Sequence, residues 1–267
     1  MVPDLFNVMS SEAAFEKTSA VGTVPDFQEF TGKVNEIEPK EGYDKQYTFT
    51  EYAAKLEIQR KLADDDQHRV MNRLPKELAN SANRSREKLG SGIFDLAFTY
   101  TPTDGDAVSL CNTAHPSRVS GVATQSNRGT AALSATNVET NRINMYDFRD
   151  DQNEKISVQA DTLIVPRALE LTAWEIINTK GKVDTANNNA NFHQGKYKLV
   201  VWDRLTDTTD WFFTDYSMQK EYLLWWNRVP NQFFQDKDSS TMVAIYLGYY
   251  RVGTGWDDWR WLFGSIV

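Results

Sequence analysis

The side chains best equipped for chemistry are Cys111 and His115, which stand close enough along the chain for a thiolate and an imidazole to share a cation. Zinc needs four protein ligands, or three and a water, and the other histidines, His68 and His193, fall in separate segments. As a nucleophile and its base, the same pair lacks a third group to orient the imidazole. His115 therefore reads as a structural residue ahead of the turn-forming Pro116. Asp64, Asp65 and Asp66 form a second pattern suited to a hard cation, yet no other carboxylate cluster accompanies them. They read instead as a helix start, where acids face the positive end of the dipole. Glycine-rich phosphate loops, HExxH and GxSxG are all absent. The sequence thus offers no catalytic constellation, and neither a cofactor nor a metal is expected.

The elements around these residues belong to a folded chain. Its 267 residues, 40% of them apolar and 12% aromatic, can furnish a sizeable core. One cysteine cannot form an intrachain disulfide, so packing and association must supply stability. No run nears the ~18 apolar residues of a membrane span, and Met1 to Ser10 lacks the basic end and apolar run of a secretory signal. A soluble protein made in a cytoplasm, without membrane contact, is expected. The net charge of -8 speaks against nucleic-acid binding over the whole surface. That charge is uneven: residues 1–50 carry nine acids and four bases, whereas Arg69 to Lys88 carries six bases against Glu77 and Glu87. A basic face is expected there.

Residues 1–22 have mixed polarity and read as an extended arm, with a helical turn or two around Glu12 to Lys17. From Val24 to Arg60, glycine and proline punctuate a partly alternating pattern that predicts a long two-stranded hairpin. So polar a hairpin is marginal alone in water and needs a neighbouring surface, such as another subunit. After the three aspartates, Val70, Leu74, Leu78 and Ala82 recur at helical spacing, with Gly90 as the expected stop. Pro75 must kink that helix or open it anew from its first turn. Asp104-Gly105-Asp106 predicts a turn, Arg167 to Asn178 a helix, and Lys198 to Trp202, Trp211 to Tyr216 and Thr241 to Val252 strands. Residues 197–267 hold 18 of the 33 aromatics and seven of the eight tryptophans, which suits a β-rich core and protein interface better than a row of sugar-stacking platforms.

The helix region and the chain beyond it resemble major head subunits of tailed bacteriophages, especially the Mu-like group. The resemblance is carried by Ala63-Asp64-Asp65-Asp66-Gln67, Arg73-Leu74-Pro75, Leu78-Ala79-Asn80-Ser81-Ala82 and Asp106 to Pro116. Asp161 to Pro166, Asn187 to Asn191, Leu205 to Trp211 and Trp259-Arg260 come next in the family's order, so that the likeness spans residues 24–265. It implies an α+β Hong Kong 97-type capsid fold. The implied parts are an N-terminal arm at 1–22, an extended loop hairpin at 23–62, a peripheral domain with a spine helix at 63–135, an axial domain at 136–235 and a return strand at 236–267.

The function implied is that of a non-enzymatic major capsid protein. It would assemble in the host bacterial cytoplasm as hexamers and pentamers into an icosahedral virion shell around double-stranded DNA. Portal and scaffolding or cementing proteins are the further partners implied. Many relatives begin with a removable scaffolding segment; none is evident here, so scaffolding is expected to be separate or the numbering to start at a mature end. Assembly contacts are expected at Lys33, Lys40, Gly42 and Lys45, the lysines facing solvent, and non-specific lumenal DNA contacts at Arg69, Arg73, Arg84 and Arg86. Intersubunit pairing with acids is the competing role for those arginines. Some relatives join a loop lysine to a neighbour's asparagine, but no asparagine or glutamate here sits in a motif that carries the role, so cross-linking is not expected. An encapsulin-type compartment shell is the nearest alternative, and an aromatic-rich carbohydrate-binding module the alternative from another class.

Overall fold

A computed structural model describes residues 1–21, 27, 29–30, 32, 41–65, 73–117, 119, 122–181 and 190–267. In chain order the elements are α1 (Val2–Leu5), β1 (Asn7–Ser10), β2 (Phe15–Val21), β3 (Glu41–Thr48), β4 (Thr50–Gln59), α2 (Arg60–Asp64), α3 (Leu74–Asp95) and β5 (Arg128–Gly129). Then come α4 (Ala135–Tyr146), β6 (Thr162–Val165), a 3-10 turn (Arg167–Leu169), α5 (Glu170–Asn178), β7 (Lys198–Val201), β8 (Trp211–Thr214), α6 (Tyr216–Tyr222), β9 (Leu223–Asp238), β10 (Val243–Trp256) and β11 (Leu262–Ser265). The strands form a four-stranded sheet in the order β1-β9-β10-β4, a five-stranded sheet in the order β5-β11-β8-β6-β7, and the separate pair β2-β3. No helix among the described residues is long and apolar enough to cross a membrane.

The N-terminal residues do not form an arm. Val2, Leu5 and Phe6 are buried in the main core, the α-amino group lies 3.3 Å from the Glu87 carboxylate, and β1 runs parallel to β9. Three apolar residues in one turn are too short a pattern to announce a helix, and only the tertiary cavity they fill gives them their role. Residues 15–21, at the end of the expected arm, are a strand rather than a helical turn, paired antiparallel with β3 from Phe15↔Thr48 to Val21↔Glu41. The hairpin expected from Val24 to Arg60 is likewise repartnered. Its second half is β4, the edge of the four-stranded sheet, whose Ile58 and Leu56 lie opposite Ala244 and Tyr246 of β10. Alternation announces a strand but is silent about a partner almost two hundred residues away.

Helix α3 begins with Pro75 in its first turn, the restart that proline allows. It does not stop at Gly90. The helix runs on to Asp95 because its far end carries Phe94 into the core, edge-on to Trp202, Phe212 and Trp261 at centroid distances of 5.6, 5.3 and 6.2 Å. Gly90 serves close approach: a Cβ there would come within 2.7 Å of Val2 Cγ2. The expected helix start at the aspartates also moves. Asp64 closes α2, where it pairs with Arg60 at 3.3 Å, Asp65 caps its end, and Asp66 and Val70 lie outside the described residues. The expected helix at 167–178 forms as the 3-10 turn and α5, with Ala173, Ile176 and Ile177 buried. Strands form where the β-branched and aromatic runs predict them, and Gly105 takes the left-handed turn conformation at φ +72°.

Candidate assembly surface

Gly42 and Lys45 are the expected loop residues that fall within the described part; Lys33 and Lys40 lie outside it. Lys45 does not face solvent. It is buried, with Nζ 4.0 Å above the Trp256 ring, and burial lowers its pKa to about 8 against the opposing pull of Asp104, Asp106 and Asp257. The turn after Thr101 explains this. The backbone amide of Gln46 donates to Asp104 at 2.7 Å and that of Gly105 to the Asp44 carbonyl at 3.1 Å, which lays β3 against the body and turns Lys45 inward. Gly42 and Tyr43 wall a cleft of about 480 Å³ whose other side includes Glu221, Tyr222, Trp256 and Trp259.

The expected basic face divides. Arg73, at the N-terminal cap of α3, and Lys76, Arg84 and Lys88 on the helix are exposed, while Arg69 lies outside the described residues. Arg86 departs from the set: it turns into the sheet, donating to Asn227 Oδ1 at 3.0 Å, with its guanidinium 5.3 Å from the centre of the Trp225 ring. Burial lowers its pKa. Arg86 thus ties α3 to β9.

The Cys111 and His115 side chains serve different parts of the interior. Cys111 is buried, its thiol pushed up by burial, and a Cβ on Gly264 would come within 2.6 Å of its sulfur. His115 stacks on Trp259 at 4.1 Å, with Nδ1 2.6 Å from Asp106 Oδ2 and Nε2 3.0 Å from Asn127 Oδ1. Asn127 is fully buried and ties its own loop to residues 110–115 and to β11: its Nδ2 donates to the carbonyls of Leu110 and Leu262, and its Oδ1 also accepts from the Asn112 amide. Among the described residues no cluster of three or more metal-ligating side chains forms. The sequence holds no signal for Asn127, because an asparagine in a polar loop looks like any other until its loop is folded inward.

Six of the seven C-terminal tryptophans are buried, so they are core, and a row of sugar platforms is not what they make. Exposed apolar side chains lie elsewhere. Leu171 and Trp174 stand one turn apart on the outer side of α5, 68% and 52% exposed, Ile143 and Tyr146 do the same on α4, and Phe192 lies under Lys196 and Arg142. Such side chains on rigid helices suit protein contact.

Similarity to known proteins agrees with this character. The profile of a family described as phage capsid protein matches residues 42–264. The fold is similar to the capsid of a native GTA particle, with a TM-score of 0.62 and 13% identity, covering 100% of this chain and 90% of that one. It is also similar to the capsid of the cyanophage P-SCSP1u, with a TM-score of 0.66 and 11% identity over 100% and 87% of the two chains. The bacteriophage JBD30 capsid gives 0.61 and 14% over 77% and 90%. No curated protein matches the sequence. The architecture is thus the α+β fold of the Hong Kong 97 type, and a family match over most of the length, on a fold with apolar side chains left at its helical surface, makes this chain a member of the phage capsid protein family.

Proposed function

We propose that the protein is the major shell subunit of its virion, closing as hexamers and pentamers into an icosahedral capsid around double-stranded DNA. The observation that carries this reading is the pair β2-β3, a two-stranded sheet joined to no third strand among the described residues. The pair is seated on the chain's own β10 through Tyr47 and Lys45, and it is the chain leaving it toward residues 22–40 that we assign to a second copy. Deleting residues 32–42 should leave soluble subunits or capsomers where the full chain gives closed particles in electron micrographs. Normal closed shells from the deletion would overturn the role given to this loop.

In this reading α3 and β10 belong to a peripheral region of residues 63–135 and 236–267, while β1, β4 and most of β9 join β10 in its sheet from outside those bounds, and β5 and β11 join the other sheet. The five-stranded sheet with α4 and α5 supports an axial region within 136–235, and the Mu-like grouping rests on the sequence stretches alone. Subunits are held without covalent bonds, by apolar burial supplemented with loop contacts, and portal and scaffolding or cementing proteins complete the particle. Arg73 and Arg84 face the lumen and neutralise phosphates without reading sequence. Reversing both charges should then lower DNA retention in intact shells; failure to assemble would show instead that they pair with acids of a neighbouring copy.

A further inference from the structure

The end of β10 meets β3 and the residue after it at Gly253, Gly255 and Trp256. A Cβ on Gly253 would come within 2.9 Å of Phe49 Cδ1, and one on Gly255 within 2.7 Å of Tyr47 Cε1, so the two glycines are seats for two rings. Trp256 then takes the Lys45 ammonium on its face. Asp257 closes the set: its Oδ1 accepts from Thr18 Oγ1 of β2 at 2.6 Å and from the Tyr47 hydroxyl of β3. One carboxylate oxygen therefore grips both strands. Its own backbone amide donates to the Tyr222 carbonyl at 3.0 Å, which fixes the grip to the end of α6. Burial, with the Asp257 carboxylate beside it, pushes the Tyr47 hydroxyl up, so Tyr47 stays a donor.

We propose that Gly253–Asp257 is a mount for the β2-β3 pair, with Asp257 the positioning residue that sets the direction in which the chain leaves toward residues 22–40. The inference rests on the reading above that this loop meets a second copy. Apolar rings on glycine seats bring the strands close but let them slide, because burial has no direction. Hydrogen bonds do have direction, and two donors from different strands meeting at one oxygen define an angle. Trp256 and Asp257 are adjacent in the chain, so β10 and the residue after it hold the cation and the hydroxyls of the same pair without an intervening joint.

The test uses the full chain with Asp257→Ala, Asp257→Asn and the donor-side variant Thr18→Val/Tyr47→Phe, alone and combined with Asp257→Ala. Amide exchange by mass spectrometry and the yield of closed particles are measured together. Asp257→Ala should speed exchange in residues 15–21 and 41–48 at least tenfold, leave exchange in β6, β8 and β11 unchanged, and cut particle yield at least tenfold. The donor-side variant should reproduce this, the combination should be no worse than either, and Asp257→Asn, which keeps the accepting oxygen, should restore most of the yield. Normal particle yield from both Asp257→Ala and the donor-side variant would overturn the proposal, as would effects that multiply in the combination. If Asp257→Ala unfolds globally, the donor-side variant decides by the same two readouts. Absence of particles from the unaltered chain would instead fail the shell reading itself.

Discussion

At Phe94 three aromatic partners meet edge-on inside a fully buried cluster, whereas at the root of β2-β3 a lysine, a tyrosine and a threonine meet an aspartate and a tryptophan face. The first region is held by area removed from water, which is large in sum and tolerant of angle. The second also buries rings, Tyr47 and Trp256, but adds partners with direction. A shell subunit needs both, because its body must survive alone while its loop must point at something outside itself. The difference teaches that stability and aim are assigned to separate residues in this chain, so one can be lost without the other.

The largest effect expected from breaking this division is at the core. Phe94→Ala should destabilise the isolated subunit by about 3–5 kcal/mol, through lost transfer energy and a cavity facing Trp202, Phe212 and Trp261. Chemical denaturation checks it, and a loss confined to assembly with unchanged midpoint would contradict the comparison. The next effect is at the root and is a function of pH. Lys45 has a folded pKa of about 8, below the ordinary 10.5, because burial disfavours its charge. Between those values the unfolded chain binds more protons, so stability should rise with pH across the window by up to about 3 kcal/mol relative to Lys45→Met. Denaturation midpoints of the two proteins at pH 8 and pH 10 should diverge in favour of the native lysine, and parallel curves would show that Lys45 is not desolvated as its position implies. The smallest change is Tyr47→Phe. Removing one hydroxyl that donates to a carboxylate should cost about 1–2 kcal/mol in the subunit, since Thr18 still occupies the same oxygen. A loss as large as that at Phe94 would mean that the root is part of the stability core after all.

Legibility tracked the range over which each signal acts. The helix at 170–178 and the strands at 198–201 and 211–214 were readable because their apolar periodicity and β-branched or aromatic content are local. Pro75 left a kink and a fresh start equally open, and the structure takes the start. Misreadings came where a residue type has two uses. Gly90 looked like a helix stop and is a contact with Val2 and Phe6; Lys45 looked like a solvated charge and lies on Trp256. Arg86 looked like one base among six and holds α3 to the sheet.

By itself the sequence determined that this is a folded chain with no intrachain disulfide and an aromatic C-terminal region, and the order of its short stretches pointed to the capsid family. Those properties depend on composition and on patterns a few residues long. Only the tertiary structure decided which strand partners which, that β4 joins β10 while β3 joins β2, and that Val2 to Phe6 belong to the core. It alone brought Asp257 to Thr18 and Tyr47, across 239 and 210 residues of chain. The physical reason is that alternation and charge specify which face a side chain prefers, whereas a hydrogen bond's partner is fixed by where the rest of the chain has packed.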